Sequence, residues 1–176
     1  MNRLRIALWV VASMASMVAR AELKLAAPDG LLLEHRYEAK ASLEQTWAAL
    51  IRPQAWWPSD HTWSGSAANL SLRPEAGGCF CEHWPQGSAE HGRVVMAQPQ
   101  QMLRIVGALG PLQDMAVNAV LTIRLAAVGD ATQIVVTYRV GGTPAHRLQE
   151  LSGVIDQVVG GQFSGLAVVA EQNAAR

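Results

Sequence analysis

The chain has 176 residues, half of them hydrophobic and only 16% charged, with 14 basic and 14 acidic side chains and a formal net charge of zero. That length suits one domain with one core and leaves no room for a second. No run of basic residues is present, which excludes an electrostatic nucleic-acid binder, and no nucleophile elbow, phosphate loop or paired-carboxylate motif occurs.

The N-terminus reads as a leader. Arg3 and Arg5 precede an apolar run from Ile6 to Val18, and Ala19-Arg20-Ala21 has the small-x-small form that a signal peptidase cleaves. The run is too short to span a bilayer. The expectation is a signal peptide over residues 1–21, cleaved after Ala21, and a single domain over residues 22–176 in the periplasm or the medium, with no stable membrane span. Cleavage removes three arginines and leaves a formal charge of −3.

Leu33, His35, Tyr37 and Ala39 alternate with Glu34, Arg36, Glu38 and Lys40, the two-residue period of a strand whose His35 and Tyr37 point inward. Ser42-Leu43-Glu44-Gln45 is a capping box opening a short helix, with Leu43, Trp47, Leu50 and Ile51 on its apolar face and Pro53 at its end. Gln54 to Gly65 is irregular and aromatic, with Trp56, Trp57 and Trp63 near Asp60 and His61. Three tryptophans so close together either plug the end of the core or line the mouth of a pocket.

Short strands follow over Ala68–Leu72, Cys79–Trp84, Ala89–Ala97 and Met102–Val106, separated by Gly- and Pro-rich turns. Gly107 to Met115, with Gly110-Pro111, is longer than a tight hairpin and reads as a lid or rim. Val117–Leu125, with only Val120 off pattern, and Ile134–Val140 alternate across a Gly129-Asp130 turn. Strand follows strand without an intervening helix, so the sheet is antiparallel.

Leu148 to Ala170 is the longest helical pattern, with Leu148, Leu151, Val154, Ile155, Val158, Val159, Phe163, Leu166, Val169 and Ala170 on one stripe. Thr143-Pro144 supplies a cap and a first-turn proline. Gly153, Gly160, Gly161 and Gly165 each cost about 0.8–1 kcal/mol relative to alanine in a helix. The helix therefore holds only when docked, and its glycines point to close approach of a second backbone or an opening beside it. Elements segregated this way make an α+β domain.

In order and spacing the motifs resemble the START-like, or SRPBCC, superfamily, and within it the branch of activator of Hsp90 ATPase homologues and polyketide cyclase-like proteins. The matching residues are Ala41–Trp47, Trp56-Trp57-Pro58, Pro74–Glu82, Gly92-Arg93-Val94-Val95, Pro99–Leu103 and Val154–Val158, within residues 31–172. The resemblance implies a helix-grip fold: a curved seven-stranded antiparallel sheet wrapped around a long C-terminal helix, with a short helical region between strands 1 and 2. It further implies an apolar cavity between sheet and helix, used in the superfamily for lipids, sterols, polyketides, hormones or aromatic acids.

Cys79, Cys81 and His83 fall at i, i+2 and i+4 and share one strand face. They suit zinc or copper, with His61 or His91 completing the set, or the two cysteines form a disulfide helped by a bulge, or they are free thiols. The opposite phase of that strand sends Phe80, Glu82 and Trp84 inward instead. His35, Tyr37, Trp56, Trp57, Trp63, Cys81, His83 and Tyr138 are the expected ligand-binding residues, and His35, His83 and Glu82 the candidates for acid–base catalysis. The leading expectation is an exported carrier of a small apolar or amphipathic molecule that needs no cofactor. The alternatives are a cyclase- or hydratase-type enzyme, a lyase or hydrolase using a cavity histidine, and a periplasmic metal-binding protein. The oligomeric state is left open.

Overall fold

The computed structural model describes residues 20–175. The leader predicted over residues 1–21 lies, apart from Arg20 and Ala21, outside the described residues. Strands β1 (Arg20–Ala27), β2 (Gly30–Ala39), β3 (Leu70–Leu72), β4 (Cys79–Trp84), β5 (Gly87–Gln98), β6 (Met102–Val106), β7 (Asn118–Val128) and β8 (Ala131–Gly141) join two helices, α1 (Leu43–Leu50) and α2 (Leu148–Ala174). The strands form one antiparallel sheet in the order β1-β2-β8-β7-β6-β5-β4-β3. This is the α+β helix-grip arrangement, with eight strands rather than seven. The additional strand is β1, an edge strand whose ladder to β2 slips at Lys24 and whose Leu23 and Leu25 are exposed. Leu23 and Leu25 alternate there with Glu22 and Lys24, but the segment directly follows the leader pattern and does not read as part of the sheet.

The capping box at Ser42 and Gln45 forms as predicted and sets the start of α1. Thr143-Pro144 does not start α2. It caps a separate turn over Pro144–His146, after which Arg147 adopts a left-handed conformation (φ 51°) that breaks the helical run. α2 then begins at Leu148, whose N–H donates to Pro28 O at 3.0 Å in the β1–β2 turn. The start of the helix is thus pinned by the sheet rather than by its own cap.

The inward rows of β2, β6, β7 and β8 (Leu31, Leu33, Leu103, Ile105, Leu121, Ile123, Ile134, Val136) build the core with Leu148, Val159, Phe163, Leu166 and Ala170 of α2. α2 is long and apolar enough to cross a membrane, yet these residues are buried against the sheet. Its two halves differ. Leu151, Val154, Ile155 and Val158 in the first half are only partly covered, while Phe163, Leu166 and Ala170 in the second are fully packed.

The helix glycines divide along the same lines. A β-carbon at Gly165 would lie 2.6 Å from Trp56 O, and one at Gly160 would lie 2.8 Å from the His35 ring, whereas at Gly161 it would meet nothing. Gly165 is therefore the close backbone approach expected from the sequence. Gly161→Ala is expected to raise stability by about 0.8–1 kcal/mol, the gain in helix propensity. Gly165→Ala is expected to lower it by about 1–3 kcal/mol, because backbone rather than a flexible side chain must yield; urea-unfolding midpoints of the two variants check the contrast.

Candidate functional site

The site begins with an irregularity in β5. Phe80 of β4 pairs with Gly92, but the next residue, Cys81, pairs with Glu90, so His91 is left over as a bulge. The phase of β5 changes there: His91 and Gly92 are both buried, between exposed Glu90 and Arg93. Gly107, at the start of the following loop, sits so close that an added β-carbon would lie 2.3 Å from His91 O. The bulge and the loop are thus held together by backbone contact.

This phase settles which face of β4 is inside. Phe80 and Glu82 are buried, Cys79 and Cys81 are half-buried, and His83 is exposed. Glu82 has no solvent exposure, and its carboxylate is met from three sides. Trp63 N–H donates to Oε2 at 3.0 Å, Ser64 N–H donates to Oε1 at 2.6 Å, and His91 Nε2 lies 3.0 Å from Oε2. Burial alone would push the Glu82 carboxyl up, but the hydrogen bonds from Ser64, Trp63 and His91 outweigh it and hold Glu82 below the usual carboxylate range. An ionised carboxylate only accepts, so His91 Nε2 carries the proton. Burial also lowers His91, with Glu82 opposing in part, and the ring is therefore neutral at pH 7 with its lone pair on Nδ1. The ring packs on Phe80 with centroids 5.1 Å apart.

His91 forms part of the wall of a cavity of about 580 Å³. The first half of α2 supplies Leu151, Val154, Ile155, Val158, Val159 and Gln162. The 107–115 loop supplies Leu109, Gly110, Pro111, Leu112 and Met115, and the tryptophan segment supplies Trp57, Asp60, His61, Thr62 and Trp63. Tyr138 of β8 closes the wall, its hydroxyl accepting from Leu109 N–H at 2.9 Å and still able to donate its own hydrogen. Burial, partly offset by that Leu109 bond, pushes the Tyr138 hydroxyl up to about 12. Gln162 is buried, and its Oε1 has no hydrogen-bond partner. Among the described residues, no lysine or arginine lines this space.

The residues singled out from the sequence separate. Trp57, Trp63 and Tyr138 line the cavity. Trp57 also packs on Phe80, at 5.3 Å, while Trp63 is half exposed at the cavity wall. Trp56 lies outside it and plugs the core, packed on Phe163 at 5.2 Å with Nε1 donating to Ala49 O at 3.0 Å. His35 and Tyr37 also lie outside and clamp β2 to α2. Tyr37 donates to Gly160 O at 2.7 Å, and His35 Nε2 lies 2.9 Å from Asp156 Oδ1 without the alignment of a hydrogen bond. Burial, helped by the Asp156 carboxylate, pushes the Tyr37 hydroxyl up. Cys81 and His83 do not reach the cavity, because the opposite face of β4 is the buried one.

The two cysteines are joined as a disulfide with α-carbons 5.4 Å apart, beside the bulge. Among the described residues the cluster with metal-ligand proximity is Cys79, Cys81 and Glu90, with His83 not part of it. Glu90 is exposed and pairs with Arg93. Sequence reasoning passed over Gln162 and considered His91 only as a further metal ligand. Glycine directly after His91 in a strand was the available sign of a bulge.

No family model and no curated protein sequence matches this chain. Solved structures do match in fold. A protein of Mesorhizobium loti superposes with a TM-score of 0.58 at 18% identity, over 80% of this chain and 97% of that one. CalU16 of Micromonospora echinospora gives 0.56 at 16% identity, over 92% and 77%. The di-domain ARO/CYC StfQ of the steffimycin biosynthetic pathway gives 0.59 at 11% identity, over 84% of this chain and 51% of that one, so the chain spans about half of StfQ. At these identities the likeness shows the fold alone, the helix-grip fold.

Both members of the buried pair bind a proton less readily when folded than when unfolded, so stability rises with pH. The part due to His91 is complete above its ordinary value of 6.5 and is lost as the pH falls from there through its lowered folded value. The part due to Glu82 is complete above 4.5 and is lost as the pH falls through its own lowered value. The melting temperature is expected to fall in these two stages on acidification, and His91→Gln is expected to remove the upper one; thermal melts from about pH 8 to about pH 3 check this.

Proposed function

We propose that this protein is an exported, SRPBCC-type carrier that holds an uncharged apolar or amphipathic molecule between the sheet and α2. The observation that carries the reading is the cavity itself. Its volume of about 580 Å³ falls within the roughly 300–1,000 Å³ of small-molecule sites. Its wall is mostly aliphatic and aromatic, with few polar groups. Gln162 Oε1, buried without a partner, supports the same reading, because an unsatisfied buried acceptor costs about 1–3 kcal/mol that a ligand donor would recover. The lack of a lining cation argues against fatty acids and phosphorylated molecules as occupants.

Export rests on the leader pattern of residues 1–21, and the Cys79–Cys81 disulfide fits an oxidising compartment. The fold likeness to CalU16 and StfQ is compatible with a polyketide-like ligand. The neutral fluorophore N-phenyl-1-naphthylamine is expected to bind with enhanced emission. Val158→Trp, which fills the space, is expected to weaken it by at least about tenfold, equivalent to about 1.4 kcal/mol. Native mass spectra of periplasmic protein are expected to show cleavage after Ala21 and an organic mass that leaves on denaturation. Unchanged fluorophore binding in Val158→Trp would count against the cavity.

A further inference from the structure

A histidine that serves only the fold commonly has both ring nitrogens satisfied by protein groups. His91 has one. Its Nε2 is committed to Glu82, no hydrogen bond is made by Nδ1 among the described residues, and the ring lines the cavity. The donor that orients it is matched on the far side by a carboxylate fixed through two backbone N–H groups, so neither partner has freedom to turn away. A basic nitrogen held in an apolar space by a buried carboxylate is the arrangement that general-base catalysis requires. The same space holds a hydroxyl, that of Tyr138, with its hydrogen available.

We propose that His91, oriented by Glu82, is a general base that removes a proton from an uncharged apolar carbon acid bound in the cavity, with Tyr138 stabilising the oxyanion that forms. The proposal rests on the cavity reading above and adds chemistry to it. In the natural reaction a proton leaves a carbon next to a carbonyl for Nδ1. The C–H electron pair enters the enolate, and its oxygen receives a hydrogen bond from Tyr138. Nδ1 then returns the proton to a different carbon of the same molecule, so that a double bond changes place and no co-reactant is consumed. The substrate class is a neutral β,γ-unsaturated ketone, whose dienolate can take the proton back at the γ-carbon, matched to a wall without lysine or arginine. Glu82 is a positioning residue and does not touch the substrate.

The groups that set the pH dependence are few. Glu82 on β4 faces the ring directly, Tyr138 faces the cavity from β8, and Asp60 and His61 face it from the tryptophan segment; the lining residues of α2 and of the 107–115 loop carry no charge. Because Glu82 favours the protonated ring and burial opposes it, the base should titrate below 6.5 and be fully active at neutral pH.

The probe is 5-nitro-1,2-benzisoxazole, a neutral bicyclic carbon acid. Loss of its C3 proton to the base breaks the N–O bond and releases a coloured cyanonitrophenolate, with nothing else consumed. The intact protein is expected to show saturable turnover that N-phenyl-1-naphthylamine inhibits, with a pH profile rising to a plateau and a midpoint below 6.5. His91→Gln is expected to cut turnover by at least about 100-fold. Tyr138→Phe should reduce it by about tenfold. Glu82→Gln should both lower the plateau and move the midpoint to lower pH, a shift that a merely structural role would not give. His83→Gln, outside the cavity, should change nothing.

Turnover retained in folded His91→Gln, or a wild-type rate that does not follow a group below 6.5, would overturn the base. A probe that displaces the fluorophore yet reacts no faster than with free imidazole would also overturn the base while leaving the cavity standing. A probe that does not react, in a protein that also fails to bind the fluorophore, overturns the cavity reading as well.

Discussion

A fully buried carboxylate at Glu82 is the constraint on which the rest of the site depends. An ionised group without solvent costs several kcal/mol unless its oxygens are met. Here the cost is offset by two backbone N–H groups and one imidazole. The donors come from places far apart in the chain: Trp63 and Ser64 from the irregular tryptophan segment, and His91 from β5. Satisfying one charge therefore ties down the far end of a loop whose backbone is otherwise held by short 3-10 turns, and with it the wall formed by Trp57, His61 and Trp63. The same bonds dictate the tautomer of His91. Structure and chemistry at this end of the sheet rest on a single polar network, and such networks are strong when complete and costly when broken.

α2 solves a different problem. Its second half is ordinary core, with Phe163 and Leu166 packed against the aromatic plug and Gly165 admitting the Trp56 backbone. Its first half spans open space and is tied at its start by the Pro28 carbonyl and farther along by Tyr37 at Gly160. The clamp of His35 and Tyr37 stands just beyond the cavity and lets the helix bridge it. One element thereby serves as core at one end and as wall at the other.

Much of this was readable in the residues. The period of α2, the capping box at Ser42, the alternation of β2, β7 and β8 and the resemblance to helix-grip proteins led to the fold, and the 107–115 loop was recognisable by its length. The failures have physical causes. Strand β4 carries polar and apolar residues in both phases, so alternation alone could not choose between Cys79, Cys81 and His83 on one hand and Phe80 and Glu82 on the other; the charged residue went inside because donors awaited it. His91 depends on a slip in pairing between two strands, which is a property of neither strand alone. β1 hides because its short alternation of Leu23 and Leu25 with Glu22 and Lys24 sits directly against the leader pattern, and its leucines are exposed rather than turned into the core. Core and cavity residues of α2 are chemically alike, and only the sheet's curvature distinguishes Leu166 from Val158.

That curvature traces to β5, where the ladder slips at His91 against β4 and again at Val95 against β6. Each slip bends the strand and increases its twist. The two slips therefore bend the strand that carries His91 into the wall, a backbone contribution to the hollow beside the side chains that line it. Point substitutions along the wall can retune polarity and shape. An insertion or deletion at either slip would instead move the strand itself, so proteins of this fold whose hollows differ in size should differ there in length as well as in lining.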